Sequence, residues 1–252
     1  MTDANKLAPG GGGRGALLAA AAGLLIGGGA VALYAGTSGG GGASKSEIEQ
    51  TVRSYLLEHP EVLQEASQRL QQRELGKAVT ANRAAFETPF AGAWAGAADG
   101  DVILVEFFDY ACGYCRKSNA DVDRLLREDS KLKVVWREWP VLGEDSERAA
   151  VASLAAAQVG KYRTFFDTLF ASGRPTADAL AKAQQAAGVD PAAVAQLQAS
   201  PAARDELAKN YQLAQSIGAT GTPTFVVGDQ VLQGAVGYEA LKGAVEKARR
   251  DS

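Results

Sequence analysis

The feature that most constrains the fold is a short apolar segment that leads to the only two cysteines of the chain. Residues 102–108 read Val-Ile-Leu-Val-Glu-Phe-Phe, and Cys112 and Cys115 follow with two residues between them. This nearly continuous run of β-branched and aromatic residues predicts a central strand covered on both faces. From residue 116 the apolar residues recur at the spacing of a helix with one buried face. The cysteine pair is therefore expected where a strand leads into a helix.

This position predicts different chemistry for the two thiols. The first turn of a helix carries unpaired N–H groups and the positive end of the helix dipole, and both stabilise an anion. A free cysteine titrates near ~8.5, whereas Cys-x-x-Cys cysteines at helix N-termini titrate at roughly 3.5 to 7. We therefore expect Cys112 to be an exposed nucleophile, largely thiolate at neutral pH. Cys115, about one turn deeper, is expected to be the shielded, resolving thiol.

A structural disulfide or half of a zinc site is the alternative interpretation of the pair. Structural zinc takes about four nitrogen or sulfur ligands, and the sequence offers one histidine and no further cysteine. A disulfide with two intervening residues closes too short a loop to restrict the unfolded chain appreciably. The sequence therefore favours a redox pair and predicts neither a metal nor a cofactor.

The segment Glu-Phe-Phe-Asp-Tyr-x-Cys-Gly-Tyr-Cys, residues 106–115, resembles the active-site segment of the DsbA-like thiol:disulfide oxidoreductases. The dipeptide Gly113-Tyr114 is more similar to that of the disulfide isomerases and the trimeric copper-tolerance members than to the Pro-His of the strong oxidants. A histidine here would add positive charge beside the Cys112 thiolate, and Tyr114 adds none. We therefore expect a less oxidising pair than that of the strongest oxidants.

Two further positions stand out once the resemblance is considered. An ionised carboxylate inside a covered strand costs several kcal/mol unless it is paired or protonated. The resemblance implies that Glu106 is the buried acid of this family, with a raised pKa that lets it exchange protons with Cys115. The alternative is that Glu106 lies at the strand end and reaches water. The resemblance also implies that Thr222-Pro223 is a cis peptide facing the cysteines, with the Thr222 backbone available to a substrate.

The N-terminal part of the chain has the pattern of an export signal. Residues 1–15 are polar and carry Lys6 and Arg14, and residues 16–35 form an uncharged apolar block about long enough to cross a bilayer. We interpret this block as a signal anchor or a cleaved signal peptide, with residues 1–15 in the cytoplasm and the rest exported. The protein is thus expected in the cell envelope or periplasm, anchored or released, where paired cysteines are common. Residues 36–44 are a glycine-rich linker.

Residues 45–90 are predicted to be a helical extension. The pattern indicates a helix from Lys45 capped by Ser46, a break at His59-Pro60, and leucines 56, 63 and 70 at near-heptad spacing. The segment resembles the N-terminal extension of isomerase-like DsbA relatives, which self-associate through it. The same spacing also fits packing on the body of the same chain. His59 is interpreted as a boundary residue without a chemical role.

The order of the remaining elements predicts the fold class. A second strand at 131–139, four or five helices within 144–217, a hairpin at 224–233 and a helix at 238–250 follow the cysteine helix. This is the order of an α/β thioredoxin fold with an inserted helical domain, as in DsbA, over residues 91–252. Phe107, Phe108 and Trp139 are expected in the core, and Tyr110 is a candidate for the substrate groove.

The sequence thus predicts a thiol:disulfide oxidoreductase that forms or isomerises disulfides in exported proteins. A membrane or soluble redox partner would reset the cysteines, and a homo-oligomer is one assembly that the extension suggests. The alternative is an envelope protein that holds Cu(I) between the two thiolates. Copper carriers usually add nearby methionines, and the only methionine is Met1. With a net charge of −3 and no basic run, nucleic acid is not an expected partner.

Overall fold

The computed structural model describes residues 44–251, so the predicted tail, the apolar block at 16–35 and most of the linker lie outside the described residues. The chain divides into two units by internal contacts, one ending at Leu63 and one beginning at Gln64. A search of residues 44–251 finds no helix with the length and apolarity that a membrane span requires.

The first unit contains helix α1, Lys45–Glu58, and the start of helix α2, Glu61–Ala81. The predicted cap at Ser46 is wrong, because Ser44 is the capping residue. The Ser44 hydroxyl accepts a hydrogen bond from the Glu47 backbone, and the Glu47 carboxylate accepts one from the Ser44 backbone at 2.7 Å. This reciprocal pair satisfies two backbone donors at the helix start. The break predicted at His59-Pro60 is confirmed.

The second unit is built around a five-stranded sheet. Its strands are β1, Trp94–Gly96; β2, Val102–Phe108; β3, Leu132–Glu138; β4, Thr224–Val227; and β5, Gln230–Gln233. The strand order is β1-β3-β2-β4-β5, in which β2 and β3 are parallel and the other pairs are antiparallel. The predicted central strand and hairpin are confirmed. The three-residue strand β1 was missed, because it is too short to show a strand pattern in the sequence.

The helices of this unit follow the predicted order. They are α3, Arg83–Glu87; α4, Gly113–Glu128; α5, Glu144–Gln158; α6, Tyr162–Ala171; α7, Ala177–Ala187; α8, Pro191–Ala199; α9, Pro201–Ser216; and α10, Tyr238–Arg250. Five of them, α5 to α9, lie between β3 and β4 and form the predicted helical insertion. Helix α4 starts immediately after the turn that leaves β2, so the strand-to-helix junction predicted for the cysteines is confirmed.

The sheet core also includes residues that precede the predicted domain start at residue 91. Phe86 of α3 is buried and its ring lies 6.0 Å from the ring of Phe107 in β2, in an edge-to-face arrangement. Arg137 of β3 is also buried, and its guanidinium donates to the backbone carbonyls of Ala85, Phe86 and Thr88. Glu206 of α9 pairs with the same guanidinium at 2.8 Å. These contacts attach the segment containing α3 to the sheet.

Candidate active site

The two cysteines lie at the N-terminus of α4, as the sequence predicts. Cys112 is the residue that caps the helix, and its sulfur accepts a hydrogen bond from the Cys115 backbone at 3.3 Å. Both cysteines are free thiols. The prediction that Cys112 is exposed is wrong, because the residue is buried with 6% of its surface accessible, and the prediction that Cys115 is shielded is confirmed at 0%. Cys112 is therefore still the more accessible of the two thiols, although both are buried.

The surroundings move the pKa values of the two thiols in opposite directions. The pKa of Cys112 is lowered to about 5. The largest cause is a hydrogen bond from the Cys115 thiol. Hydrogen bonds from the Thr222 side chain and from the backbone N–H groups of Cys115 and Tyr114 also lower the pKa, whereas partial burial raises it. Burial raises the pKa of Cys115 well above its ordinary value. Cys112 is thus a thiolate at neutral pH and Cys115 is a thiol.

The loop before β4 faces the first cysteine. The Cys112 thiol donates a hydrogen bond to the carbonyl oxygen of Thr222 at 3.3 Å. The peptide between Thr222 and Pro223 is cis, which confirms the prediction made from the resemblance. Pro223 is buried and Thr222 is half-buried. The structure therefore brings together two segments that are separated by more than 100 residues.

The dipeptide between the cysteines is open to solvent. A Cβ placed on Gly113 would meet nothing within 4 Å, so packing does not require glycine here. The Tyr114 side chain is 69% exposed, and its backbone N–H is among the donors that lower the pKa of Cys112. Gly113 and Tyr114 can therefore be substituted without disturbing the core, which is compatible with a role in tuning the redox properties of the two cysteines.

Glu106 of β2 is fully buried, so the alternative that it reaches water at the strand end is wrong. Trp136, its neighbour in β3, donates an indole hydrogen bond to the Oε2 atom at 3.0 Å. The pKa of Glu106 is raised to about 8, mainly by burial and in part by the nearby charges of Asp123 and Cys112, against the lowering effects of the Trp136 hydrogen bond and the Arg163 charge. The charge on Glu106 in turn contributes to the raised pKa of Cys115. The acid and the buried thiol therefore lie within electrostatic reach of each other.

Asp109 is a site residue that the sequence analysis missed. It is buried in the turn between β2 and α4, and its Oδ1 atom accepts hydrogen bonds from the Ala111 backbone and the Ser146 hydroxyl at 2.7 and 2.6 Å. Its Oδ2 atom accepts from the backbone N–H groups of Val141 and Leu142 at 2.8 and 3.0 Å. The Asp109 carboxylate thus connects the turn that carries the cysteines to the loop after β3 and to the start of α5 through hydrogen bonds.

Tyr110, a candidate for the substrate groove, is instead part of the core. It is 1% exposed, and its hydroxyl is hydrogen-bonded to Ser153 of α5 at 2.7 Å. Its ring packs against Phe108, Phe166 and Phe170, with centroids 4.8 to 5.9 Å apart. Residues of the helical insertion therefore pack against Tyr110 and stabilise the turn that carries the cysteines.

A low-pKa cysteine at a helix start, a buried second cysteine and a cis-proline loop before a hairpin define the thioredoxin class of fold. A family model described as the DSBA-like thioredoxin domain matches residues 103–246, more than half of the 252 residues. The chain belongs to this DsbA-like family, whose fold is that of thiol–disulfide oxidoreductases. A second model, the copper resistance protein ScsC N-terminal domain, matches residues 45–74.

Solved structures agree with this family. A thioredoxin-like oxidoreductase from Silicibacter pomeroyi DSS-3 is 39% identical, with a TM-score of 0.64 over 68% of this chain and 99% of that chain. A periplasmic thioredoxin-like protein from Salmonella enterica serovar Typhimurium is 26% identical, with a TM-score of 0.61 over 67% of this chain and 95% of that chain.

The curated relatives are much longer proteins. The Na(+)/H(+) antiporter NhaA 3 of Salinispora tropica is 30% identical over 158 residues, which cover 61% of this chain and 24% of the antiporter. The chain therefore spans about a quarter of the length of the curated relatives that it matches.

Proposed function

We propose that this protein is a thiol:disulfide oxidoreductase that forms or isomerises disulfides in exported proteins through Cys112 and Cys115. The observation that carries the proposal is the contrast between the two thiols. Cys112 has a pKa lowered to about 5 and contacts the Thr222 carbonyl, whereas Cys115 is buried with a raised pKa. One thiol is therefore prepared to attack and the other to resolve.

The reaction can be written with this chain's own groups. In the isomerising direction the Cys112 thiolate attacks a substrate disulfide, forms a mixed disulfide and releases one substrate thiolate. If the substrate does not rearrange, Cys115 attacks the Cys112 sulfur and releases the second substrate thiolate. In the oxidising direction a substrate thiolate attacks the Cys112 sulfur of the Cys112–Cys115 disulfide and forms a mixed disulfide, and Cys115 leaves as the thiolate. A second substrate thiolate then attacks the substrate sulfur of the mixed disulfide, which forms the substrate disulfide and releases Cys112 as the thiolate.

Glu106 supplies and removes the proton that these steps require. The high pKa of Cys115 means that it cannot attack until a base takes its proton, and it leaves more easily if an acid returns one. A carboxyl with a pKa raised to about 8 can do both near neutral pH. Because Glu106 is buried close to both thiols, we assign it this proton-transfer role.

The substrates are proposed to be exported proteins with thiols or disulfides. The sequence of residues 1–35 supports export, and the Salmonella relative is described as periplasmic. Thr222 and Pro223 are proposed to contact the substrate chain, because the Thr222 carbonyl lies 3.3 Å from the reacting sulfur. A membrane or soluble redox partner would return the cysteines to their starting state after each cycle.

We propose that copies of the chain associate through the first unit, and that this association favours disulfide isomerisation. Ile48, Val52 and Tyr55 lie at spacings of four and three residues on α1, and each is 51 to 53% exposed. Helix α1 contains no buried residue in the described chain. An apolar stripe of this kind is stabilised by burial against another helix. A second copy of this chain would cover it and bring two Cys112 sites into one assembly.

Cu(I) binding by the two thiols is the second candidate, and the name of the family model over residues 45–74 favours it. Among residues 44–251 no group of three or more histidine, cysteine or acidic side chains is placed to hold a metal. A copper ion would therefore depend on the two sulfurs. The raised pKa of Cys115 opposes this, because a metal ligand must be a thiolate.

The test uses three variants of the exported chain with two substrates, a reduced dithiol peptide and a protein with scrambled disulfides. Cys115→Ser should accumulate a mixed disulfide with the scrambled protein, because the resolving thiol is missing, and it should not oxidise the dithiol peptide, because it cannot form the Cys112–Cys115 disulfide. Cys112→Ser should form none and should lose both activities. Gly113→Ala, which meets no neighbouring atom, is the matched control and should remain active. Full activity in Cys112→Ser would exclude the proposed function.

A further inference from the structure

The buried carboxyl of Glu106 has one oxygen that the mechanism leaves without a partner. The Oε2 atom accepts the hydrogen bond from Trp136, whereas Oε1 has no hydrogen-bond partner within residues 44–251. An unpaired buried polar atom costs about 1 to 3 kcal/mol. Such atoms in native proteins are therefore nearly always paired with another group or with ordered water.

Three other buried side-chain atoms share this property in the part of the chain that the structure describes. They are Asn119 Oδ1, Arg163 Nη1 and Trp139 Nε1. Trp139 belongs to a separate core cluster, the one that contains Phe107. Asn119 instead lies on α4, the helix that follows Cys112, and Arg163 lies on α6.

Arg163 is connected to Glu106 through Trp136. The guanidinium carbon lies 5.1 Å from the centroid of the Trp136 ring, and the same ring donates to Glu106. Arg163 also pairs with Asp123 of α4 at 2.6 Å. The charges of Arg163 and Asp123 both act on Glu106, and the Cys112 and Cys115 sulfurs are the other titratable groups coupled to it.

Asn119 completes a polar stripe along α4. Cys115, Asn119 and Asp123 are each four residues apart, so their side chains lie on one face of the helix. The stripe begins at a fully buried thiol and ends at a partly accessible ion pair, in which the Asp123 and Arg163 side chains are 34% and 33% exposed. Polar side chains therefore extend along α4 from Cys115, whose pKa is coupled to Glu106, to an ion pair at the protein surface.

We propose that Asn119, Asp123 and Arg163 form the route by which Glu106 exchanges its proton with solvent, through water molecules hydrogen-bonded to these side chains. The inference rests on the proton-transfer role proposed for Glu106. When Cys115 gives its proton to the Glu106 carboxylate, the Cys115 thiolate forms the bond to Cys112 and the substrate sulfur leaves as a thiolate. The proton on Glu106 then passes along the route to water. In the oxidising direction the proton moves inward, and no further reactant is consumed.

The experiment separates the rate of proton exchange from the equilibrium. After a rapid pH jump across pH 8, the infrared carboxyl band of Glu106 is followed in time, and its loss in Glu106→Gln assigns it. Asn119→Leu removes the amide while keeping a similar volume. It should slow the appearance of the band about tenfold or more, while the pKa of Glu106 moves little. Asp123→Asn, which keeps the shape of the side chain, should also slow it.

Asp167→Asn is the matched control. Asp167 pairs with the same guanidinium at 2.8 Å and carries the same charge as Asp123, but it is not on the α4 stripe. It should leave the rate of proton exchange unchanged.

Wild-type exchange rates in both Asn119→Leu and Asp123→Asn would overturn the route. Equal slowing in Asp167→Asn and Asp123→Asn would overturn it too, because a displaced Arg163 would then explain the effect. A wild-type rate of mixed-disulfide release in Glu106→Gln would instead exclude the proposed role of Glu106 itself. The two failures are therefore distinguishable.

Discussion

The thiol of Cys112 donates a hydrogen bond to the backbone carbonyl of Thr222, 110 residues later in the chain, at a distance of 3.3 Å. A thiolate cannot make this bond, because it has no proton to donate. Ionisation of Cys112 therefore frees the Thr222 carbonyl for another donor. In the proposed function, a substrate chain that approaches the sulfur would then donate a backbone N–H to this carbonyl, which would link attack to substrate alignment.

Alkylation should distinguish the two thiols. In the reduced protein at pH 6, iodoacetamide should modify Cys112 and leave Cys115 unmodified, because the pKa of Cys112 is lowered to about 5 and Cys115 is buried. The rate at Cys112 should rise with pH to half its maximum near pH 5. Mass spectrometry of the peptides measures both sites. Comparable labelling of Cys115 in the folded protein would show that the assignment of roles is wrong.

Glu106→Gln should stabilise the reduced protein in a pH-dependent way. Burial raises the pKa of Glu106 from 4.5 to about 8, so its contribution to stability is complete below pH 4.5 and is lost as the pH rises to about 8. Glutamine is neutral and can still accept from Trp136. The free energy of unfolding should therefore increase by about 3 kcal/mol at pH 7. Urea unfolding should show no gain at pH 4, and a constant gain at every pH would contradict the burial of a titrating acid.

Tyr114→His should make the cysteine pair more oxidising. The imidazolium would stand beside the Cys112 thiolate and stabilise the reduced form, and the exposed position of Tyr114 tolerates the change. We expect the reduction potential to rise by about 30 mV, equivalent to about 1.4 kcal/mol. Equilibration with glutathione buffers measures it. Tyr114→Phe, which adds no charge, is the control, and an equal shift in that variant would exclude the electrostatic explanation.

Asp109→Ala should destabilise the fold more than the loss of any one of its partners. The change leaves the backbone N–H groups of Val141 and Leu142 and the Ser146 hydroxyl without their acceptor. We expect a loss of about 2 to 4 kcal/mol in the free energy of unfolding, against about 1 kcal/mol for Ser146→Ala. Thermal or urea unfolding checks both values. Equal losses would mean that the carboxylate does not act as a common acceptor.

Val52→Asp should weaken self-association without altering the cysteines. A charge in the middle of the exposed stripe of α1 would have to be desolvated in an interface between copies. We expect the dissociation constant of the assembly to rise about tenfold or more, with loss of isomerisation but not of dithiol oxidation. Light scattering on the chain from Ser44 measures the mass. Thr51→Asp, on the same exposed helix, is the control, and a wild-type protein that is monomeric at micromolar concentration would remove the assembly.

The parts of the site that the sequence predicted depend on local patterns. The junction of β2 and α4, and hence the difference between Cys112 and Cys115, follows from an apolar run that gives way to helical spacing. The burial of Glu106 follows from its apolar neighbours in the strand. Thr222-Pro223 was reached only through the resemblance, because a Thr-Pro pair at the start of a strand is ordinary by itself.

The parts that were missed depend on contacts between distant segments. Asp109 collects donors from residues 2 to 37 positions away, and the sequence shows only a polar residue in a turn. The choice of Ser44 over Ser46 as the cap depends on which serine has Glu47 at the third helical position, and both lie in a polar segment. Strand β1 is too short for a periodic pattern.

Arg137 has a consequence for how this catalytic unit can be moved between proteins. Its buried guanidinium is satisfied by carbonyls of residues 85, 86 and 88, which lie before the first strand. A gene segment that began at β1 would encode the cysteines and the Glu206 partner of Arg137, but it would remove the three carbonyl acceptors of the buried guanidinium. A transferable cassette of this chain therefore has to include residues 85–88, which precede the first strand and hold Arg137 in place.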